Sequence, residues 1–205
     1  MRYKAQILVI VVSLLGLQSC ATLSKEECRA ADWRTIGFSD GARGYASGRI
    51  SDHREACAEY GVAPNLQQYL AGHKEGIRNY CVPNQGFDLG RRGTQYNGIC
   101  PADLEPAFLS SYRQGQEIYV IERDIKQFER ERNDLISEHD SLLKEIEDNE
   151  RIIVSDNTSP QLRRELLEQN RRLEQLVEEK DFEINQYERQ IERLERKVNA
   201  LLGGY

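Results

Sequence analysis

From Gln116 onward the apolar side chains recur at alternating intervals of three and four residues. With Ile118 as position a of a heptad, the a positions are Ile118, Ile125, Arg132, His139, Ile146 and Ile153, and the d positions are Ile121, Phe128, Leu135, Leu142 and Asn149. Eight of these eleven are apolar, which makes a narrow coiled-coil seam rather than the broad face of a globular helix. The pattern breaks at SDNTSP, residues 155–160. These are turn formers, in which Thr158 or Ser159 can cap a new helix and Pro160 suits its first turn. A second seam follows, with Asn170, Val177, Ile184, Ile191 and Val198 at a and Leu166, Leu173, Lys180, Tyr187, Leu194 and Leu201 at d.

The two arms are of nearly equal length, so the expected element is a hairpin over 116–202 in which each a faces a d. One register sets Ile118 on Leu201, Ile121 on Val198, Phe128 on Ile191, Leu142 on Val177 and Ile153 on Leu166, and it matches Asn149 with Asn170. A slip of one heptad puts Asn149 opposite Arg163 and Arg132 opposite Lys180, and it loses apolar layers. Paired asparagines fix register at some cost in stability, so the first register is the expected one. A bent continuous helix that pairs with another chain is the alternative, and with it a homo-oligomer built through the coiled coil.

Residues 28–115 carry another periodicity. Gly37-FSD-Gly41-ARG-Tyr45 is followed by Gly72-HKE-Gly76-IRN-Tyr80 and by Ser111-YRQ-Gly115-QEI-Tyr119, with an aromatic residue upstream each time (Trp33, Tyr69, Phe108). A spacing of four stacks the small residues and the tyrosine on one side of a helix. Glycine in a helix costs about 1 kcal/mol relative to alanine, so a repeated glycine stripe implies close backbone approach. Three short helices packed through these stripes are expected, each tyrosine covering the edge of its contact. Asp40, Arg43, Lys74, Glu75, Arg78 and Arg113 interrupt the copies, which excludes pairing inside a membrane. The segment 82–100, with Gly86, Gly90, Gly93 and Gly98, reads as a loop.

The chain opens with Arg2 and Lys4 and an uncharged run, AQILVIVVSLLGL, the layout of an export signal over residues 1–19. It is too short to span a bilayer, which needs roughly 20 apolar residues. Leu17-Gln18-Ser19-Cys20 resembles the lipobox of bacterial lipoproteins. The resemblance implies cleavage before Cys20, acylation of that cysteine and a short linker over 20–27. Ala21 in place of aspartate implies the outer membrane, periplasmic face. Cys20 then accounts for the odd number among five cysteines. Cys28, Cys57, Cys81 and Cys100 remain as an even set in an oxidising compartment, and Cys28 with Cys57 and Cys81 with Cys100 is the expected pairing. Closing the loop between Cys81 and Cys100 stabilises the fold by roughly 3 kcal/mol.

Charge divides the chain at the same place. Lys25 to Arg113 holds 11 basic and 11 acidic side chains, and Gln114 to Tyr205 holds 15 basic and 23 acidic ones. Nothing in this is a nucleic-acid footprint. The runs WRTIGFSDGARGY, CAEYGVAP, YLAGHKEGIRNYC, NQGFDLGRRGTQYNGICP and FLSSYRQG resemble the bacterial lipoproteins that carry domain of unknown function 2799, over about residues 26–119. That resemblance implies an exported helical domain and carries no activity with it.

Candidate chemistry is sparse. His53, His73 and His139 stand in no metal-binding spacing, and no cofactor or catalytic residue is expected. Asp32, Asp40, Asp88 and Asp103 are the carboxylates from which a glycan-cleaving pair would be drawn, Asp40 being expected on a solvated helix position. Arg91 and Arg92 in the glycine-rich segment are candidate anion contacts. The fold class expected is mostly α, a small disulfide-stapled domain plus a long antiparallel hairpin. The expected role is an outer-membrane-anchored scaffolding module that meets other envelope proteins through its acidic coiled coil. The alternatives are a head that binds cell wall or another anionic ligand and, further off, a peptidoglycan hydrolase.

Overall fold

The computed structural model describes residues 22–203. The export signal, Cys20 and Ala21 lie outside the described residues. Among the described residues there are seven α-helices and no strand: α1 Lys25–Arg29, α2 Trp33–Ala42, α3 Ile50–Ala58, α4 Leu66–Tyr80, α5 Pro83–Arg91, α6 Glu105–Ile153 and α7 Pro160–Gly203. A 3₁₀ turn, Ser47–Arg49, leads into α3. None of these helices is long and apolar enough to cross a membrane. The chain forms two compact units. The first runs to Leu89 and takes in Gln95–Tyr112, and the second joins Gly90–Thr94 to the residues from Arg113 onward. The division between Tyr112 and Arg113 falls inside the continuous helix α6.

In the first unit the helix starts are capped as their sequences dictate. Ser24 and Glu27 form a reciprocal capping box at α1, and the Asp32 and Asn65 side chains accept backbone N–H bonds at the starts of α2 and α4. Each cap satisfies donors that the helix itself leaves unpaired. Helices α2 and α4 then meet through their glycines, as expected. A β-carbon on Gly37 would overlap the Tyr69 carbonyl, one on Gly72 the Arg34 carbonyl, and one on Gly76 the Phe38 carbonyl. Gly41 faces the His73 carbonyl in the same way. An Arg34–Glu75 ion pair at 2.5 Å bridges the exposed edge of this contact. Two disulfides, Cys28–Cys57 and Cys81–Cys100, staple the unit in the expected pairing.

The close approach makes a direct prediction. Gly72→Ala gains about 1 kcal/mol of helix propensity but drives a methyl group into backbone, and overpacking costs about 1–3 kcal/mol even where side chains can yield. With backbone in the way the cost lies at the top of that range or above it, so a net loss of about 2 kcal/mol or more is expected in urea unfolding followed by Trp33 fluorescence. Gly48→Ala is the control: nothing lies within 4 Å of its β-position, so a change within about 0.5 kcal/mol is expected.

Two expectations are corrected here. Tyr45 is not on a helix: α2 stops at Ala42, because Gly44 adopts φ of 80°. The Gly44 N–H bonds to the Gly41 carbonyl and the Tyr45 N–H to the Asp40 carbonyl, the double bond of a left-handed C-terminal cap. Residues 83–91 of the segment read as a loop are helix α5, which begins on Pro83, a residue suited to the first helical position. The segment repeats α2: Gly37-Phe38-Ser39-Asp40-Gly41-Ala42-Arg43-Gly44 aligns with Gly86-Phe87-Asp88-Leu89-Gly90-Arg91-Arg92-Gly93. The contacts repeat as well. Gly86 lies against the Phe108 carbonyl as Gly37 lies against that of Tyr69. The Tyr80 ring covers Gly44, and in the second unit the Tyr119 ring covers Gly93. Gly93, with φ of 65°, again bonds three residues back, to the Gly90 carbonyl. Gly115 is buried on α6.

Two apolar clusters fill the first unit. One gathers Cys28, Trp33, Ile50, Cys57 and Tyr69, with Leu23 and Ile36 against it. The other gathers Ile77, Cys81, Leu89, Cys100, Phe108 and Tyr112. The Phe108 ring is wholly buried, and its centroid is 4.9 Å from that of Tyr96 and 5.8 Å from that of Tyr80. Tyr96 donates its hydroxyl to Glu105 and accepts the Cys100 N–H, both at 2.9 Å.

In the second unit α6 and α7 run antiparallel. All 22 a and d positions assigned from the sequence are buried or half-buried. Asn149 Nδ2 donates to Asn170 Oδ1 at 2.8 Å, both residues buried, so the register is the expected one. Glu145 with Gln169, Glu138 with Lys180 and Glu117 with Lys197 keep step along the pair. Its polar core positions escape sideways: Lys180 reaches Glu138 at 2.7 Å and His139 lies 3.3 Å from Asp181. The Glu138 hydrogen bond pushes the Lys180 ammonium above its ordinary range. At the turn, Ser159 Oγ accepts the Leu162 N–H and caps α7, with Pro160 as first helical residue. Asn149→Leu alone is expected to cost about 1–3 kcal/mol, because it strands a buried amide on Asn170. Asn149→Leu with Asn170→Leu is expected to restore or exceed the original stability. Circular dichroism during urea unfolding reads both.

Candidate functional site

The densest polar arrangement lies within the first unit, between α2, α3 and α4. The last turn of α2 carries Asp40 inward, 5 % exposed. This corrects the expectation of a solvated position. Its Oδ2 accepts the Tyr69 hydroxyl at 2.8 Å and the His53 Nε2–H at 2.7 Å. Arg49 Nε stands 3.5 Å from Oδ1, ion-pairing distance without a good hydrogen bond. The Arg49 guanidinium also lies 3.8 Å from the centre of the Tyr45 ring, a cation–π contact. His53, 2 % exposed, has its other ring nitrogen, Nδ1, 2.8 Å from Thr22 Oγ1. His73, stacked on Tyr69, donates Nε2–H to the Tyr45 carbonyl at 2.7 Å.

Burial of Tyr69 and its bond to Asp40 push the phenol well above the ordinary tyrosine range. Desolvation disfavours the phenolate, and the neighbouring carboxylate disfavours it further. The Thr22 hydroxyl, the His53 imidazole and the Asp40 carboxylate stand here in the order of a nucleophilic triad, and the Tyr69 hydroxyl takes a further bond to the same carboxylate oxygen. The cluster ties four segments of chain together.

The remaining sequence candidates are dispersed. Asp32 is the cap of α2, and its carboxyl is held below the usual range by the Thr35 hydroxyl and N–H. Asp103 pairs with Arg78 at 2.9 Å, and Asp88 is exposed on α5. Arg91 is the last residue of a helix and not part of a loop that cups an anion, and in the second unit it pairs with Glu122 at 2.7 Å. Arg92 is exposed. No group of three or more potential metal-binding side chains occurs among the described residues. Sequence reasoning missed the network of Thr22, Asp40, Arg49, His53 and Tyr69. No spacing links these residues, since α2, α3 and α4 bring them together only in the fold.

The first unit is thus a disulfide-stapled helical domain built from glycine-striped helix contacts. The family described as a protein of unknown function (DUF2799) matches residues 32–117, and this stretch of the chain carries that domain. No curated protein and no solved structure matches the chain.

Proposed function

We propose that the protein is a lipoprotein held at the periplasmic face of the outer membrane through acylated Cys20, and that its helical hairpin is a contact surface for other envelope proteins. Two disulfides with all four cysteines buried suit an oxidising compartment, which supports export. The observation that carries the contact surface is the middle of the hairpin. Residues 134–150 hold seven acidic side chains and one Lys, and residues 174–183 five and one Lys. Within them Ile136, Leu143, Leu176 and Phe182 are 37–63 % exposed. A merely solvated face has no use for Phe182 at 63 % exposure on the outer side of α7. A basic segment with apolar side chains is the partner this chemistry suits, and like charge disfavours a second copy in the same place.

The test places a photo-crosslinking residue at Gln175, beside Phe182, in cells. Leu143→Ser with Phe182→Ser is expected to abolish crosslinks to other proteins while the protein's level and thermal melting hold. Crosslinks that survive the double substitution sink the reading.

A further inference from the structure

The described chain begins in a locked position. Thr22 Oγ1 is hydrogen-bonded to the buried His53 ring, whose far nitrogen is held by buried Asp40. Leu23 packs against the cluster of Cys28, Trp33, Ile50, Cys57 and Tyr69. Ser24 caps α1, donating its own N–H to Glu27 at 2.7 Å and accepting the Glu27 N–H in return. Three consecutive residues are therefore each fixed, by a hydrogen bond, by apolar packing and by a capping box. This overturns the expectation of a linker over 20–27, because from Thr22 on the chain is already part of the folded unit.

We infer that the unit bearing Thr22 is docked directly on the phospholipid surface. The inference rests on the reading that Cys20 is acylated. Two peptide units separate Cys20 from Thr22, and they span at most about 7 Å even when fully extended. Acyl chains place the Cys20 backbone at the bilayer interface, so Thr22 lies within about 7 Å of the headgroups, with the His53 that holds it one hydrogen bond beyond. The exposed side chains that follow directly on α1, Lys25, Glu26 and Arg29, then meet the headgroup layer, and so do their neighbours on α3. An unlocked segment would let the same anchor hold the domain at any distance its length allowed.

The experiment uses the full acylated chain in vesicles of phosphatidylethanolamine and phosphatidylglycerol with a fraction of dansyl-labelled headgroups. Trp33, the one tryptophan, is the donor. Insertion of ten Gly/Ser residues between Ala21 and Thr22 is expected to lower energy transfer at least twofold. Thr22→Val with Leu23→Ser is expected to lower it in the same direction, and Thr22→Ser, which keeps the hydroxyl, to match the original. Far-UV melting checks that each variant is folded. Intact mass of the vesicle fraction separates the two ways of failing. Unacylated Cys20 overturns the inference together with the lipoprotein reading. Acylated Cys20 with equal transfer from the original and the insertion variant overturns the docking alone.

Discussion

Asp40→Ala is expected to cost the first unit about 3–5 kcal/mol, the range for breaking a buried charged pair by removing one partner. The loss comes less from the missing contacts than from what stays behind. His53 and Tyr69, 2 % and 0 % exposed, are left with donors aimed at a void, and Arg49 is left without its nearest carboxylate. Asp40→Asn keeps an oxygen acceptor and the shape, so it should cost less. Urea unfolding followed by Trp33 fluorescence measures both, and a loss under about 1 kcal/mol for Asp40→Ala would show that the cluster is not holding the fold. The same contacts set the response to alkali. The Tyr69 phenol is raised in the folded state, so its contribution to stability is fully present below the ordinary tyrosine range and is lost as pH rises through the raised value. Tyr69→Phe removes this contribution, and with it part of the alkaline loss.

Cys28→Ala with Cys57→Ala is expected to cost about 3–4 kcal/mol. The bridge closes a loop with a sequence separation of 29, and the chain-entropy estimate for loops of this size lies in that range. It also belongs to the apolar cluster of Trp33 and Tyr69, so both alanines leave unfilled space beside the tryptophan. A small unit has few other reserves. Reductant added to the original protein opens both disulfides, so it should move the urea midpoint at least as far as the double variant does. If reduction leaves the midpoint where it was, the staple is dispensable.

Much of the architecture was legible because it was written in periods. The heptad positions after Gln116 needed only counting, and the paired asparagines chose between registers that differ by seven residues. The disulfide pairing followed from which cysteines bracket which segment. The Gly37–Gly41 and Gly72–Gly76 stripes announced a close contact because glycine has no other reason to recur inside helices. Reading failed where a residue had two roles. Gly44 and Gly93 stop helices, so the periodicity that predicts Tyr45 on a helix is cut short at Ala42. The glycines of 86–93 read as turn formers, although the same eight-residue pattern stands on the helix and cap at 37–44. The Asp40 network was out of reach for a different reason: burial of a carboxylate is decided by helices contributed from three separate stretches, and no local pattern encodes it.

The paired asparagines also bear on the order in which the hairpin closes. Asn149 and Asn170 are only 21 residues apart along the chain, so they come together early, when little entropy has been spent on loop closure. The partners at the far end, such as Glu117 and Lys197, must wait for that closure to propagate. A zipper started at Ser159 therefore has its alignment inspected once, close to its origin, before the costly distant layers are committed.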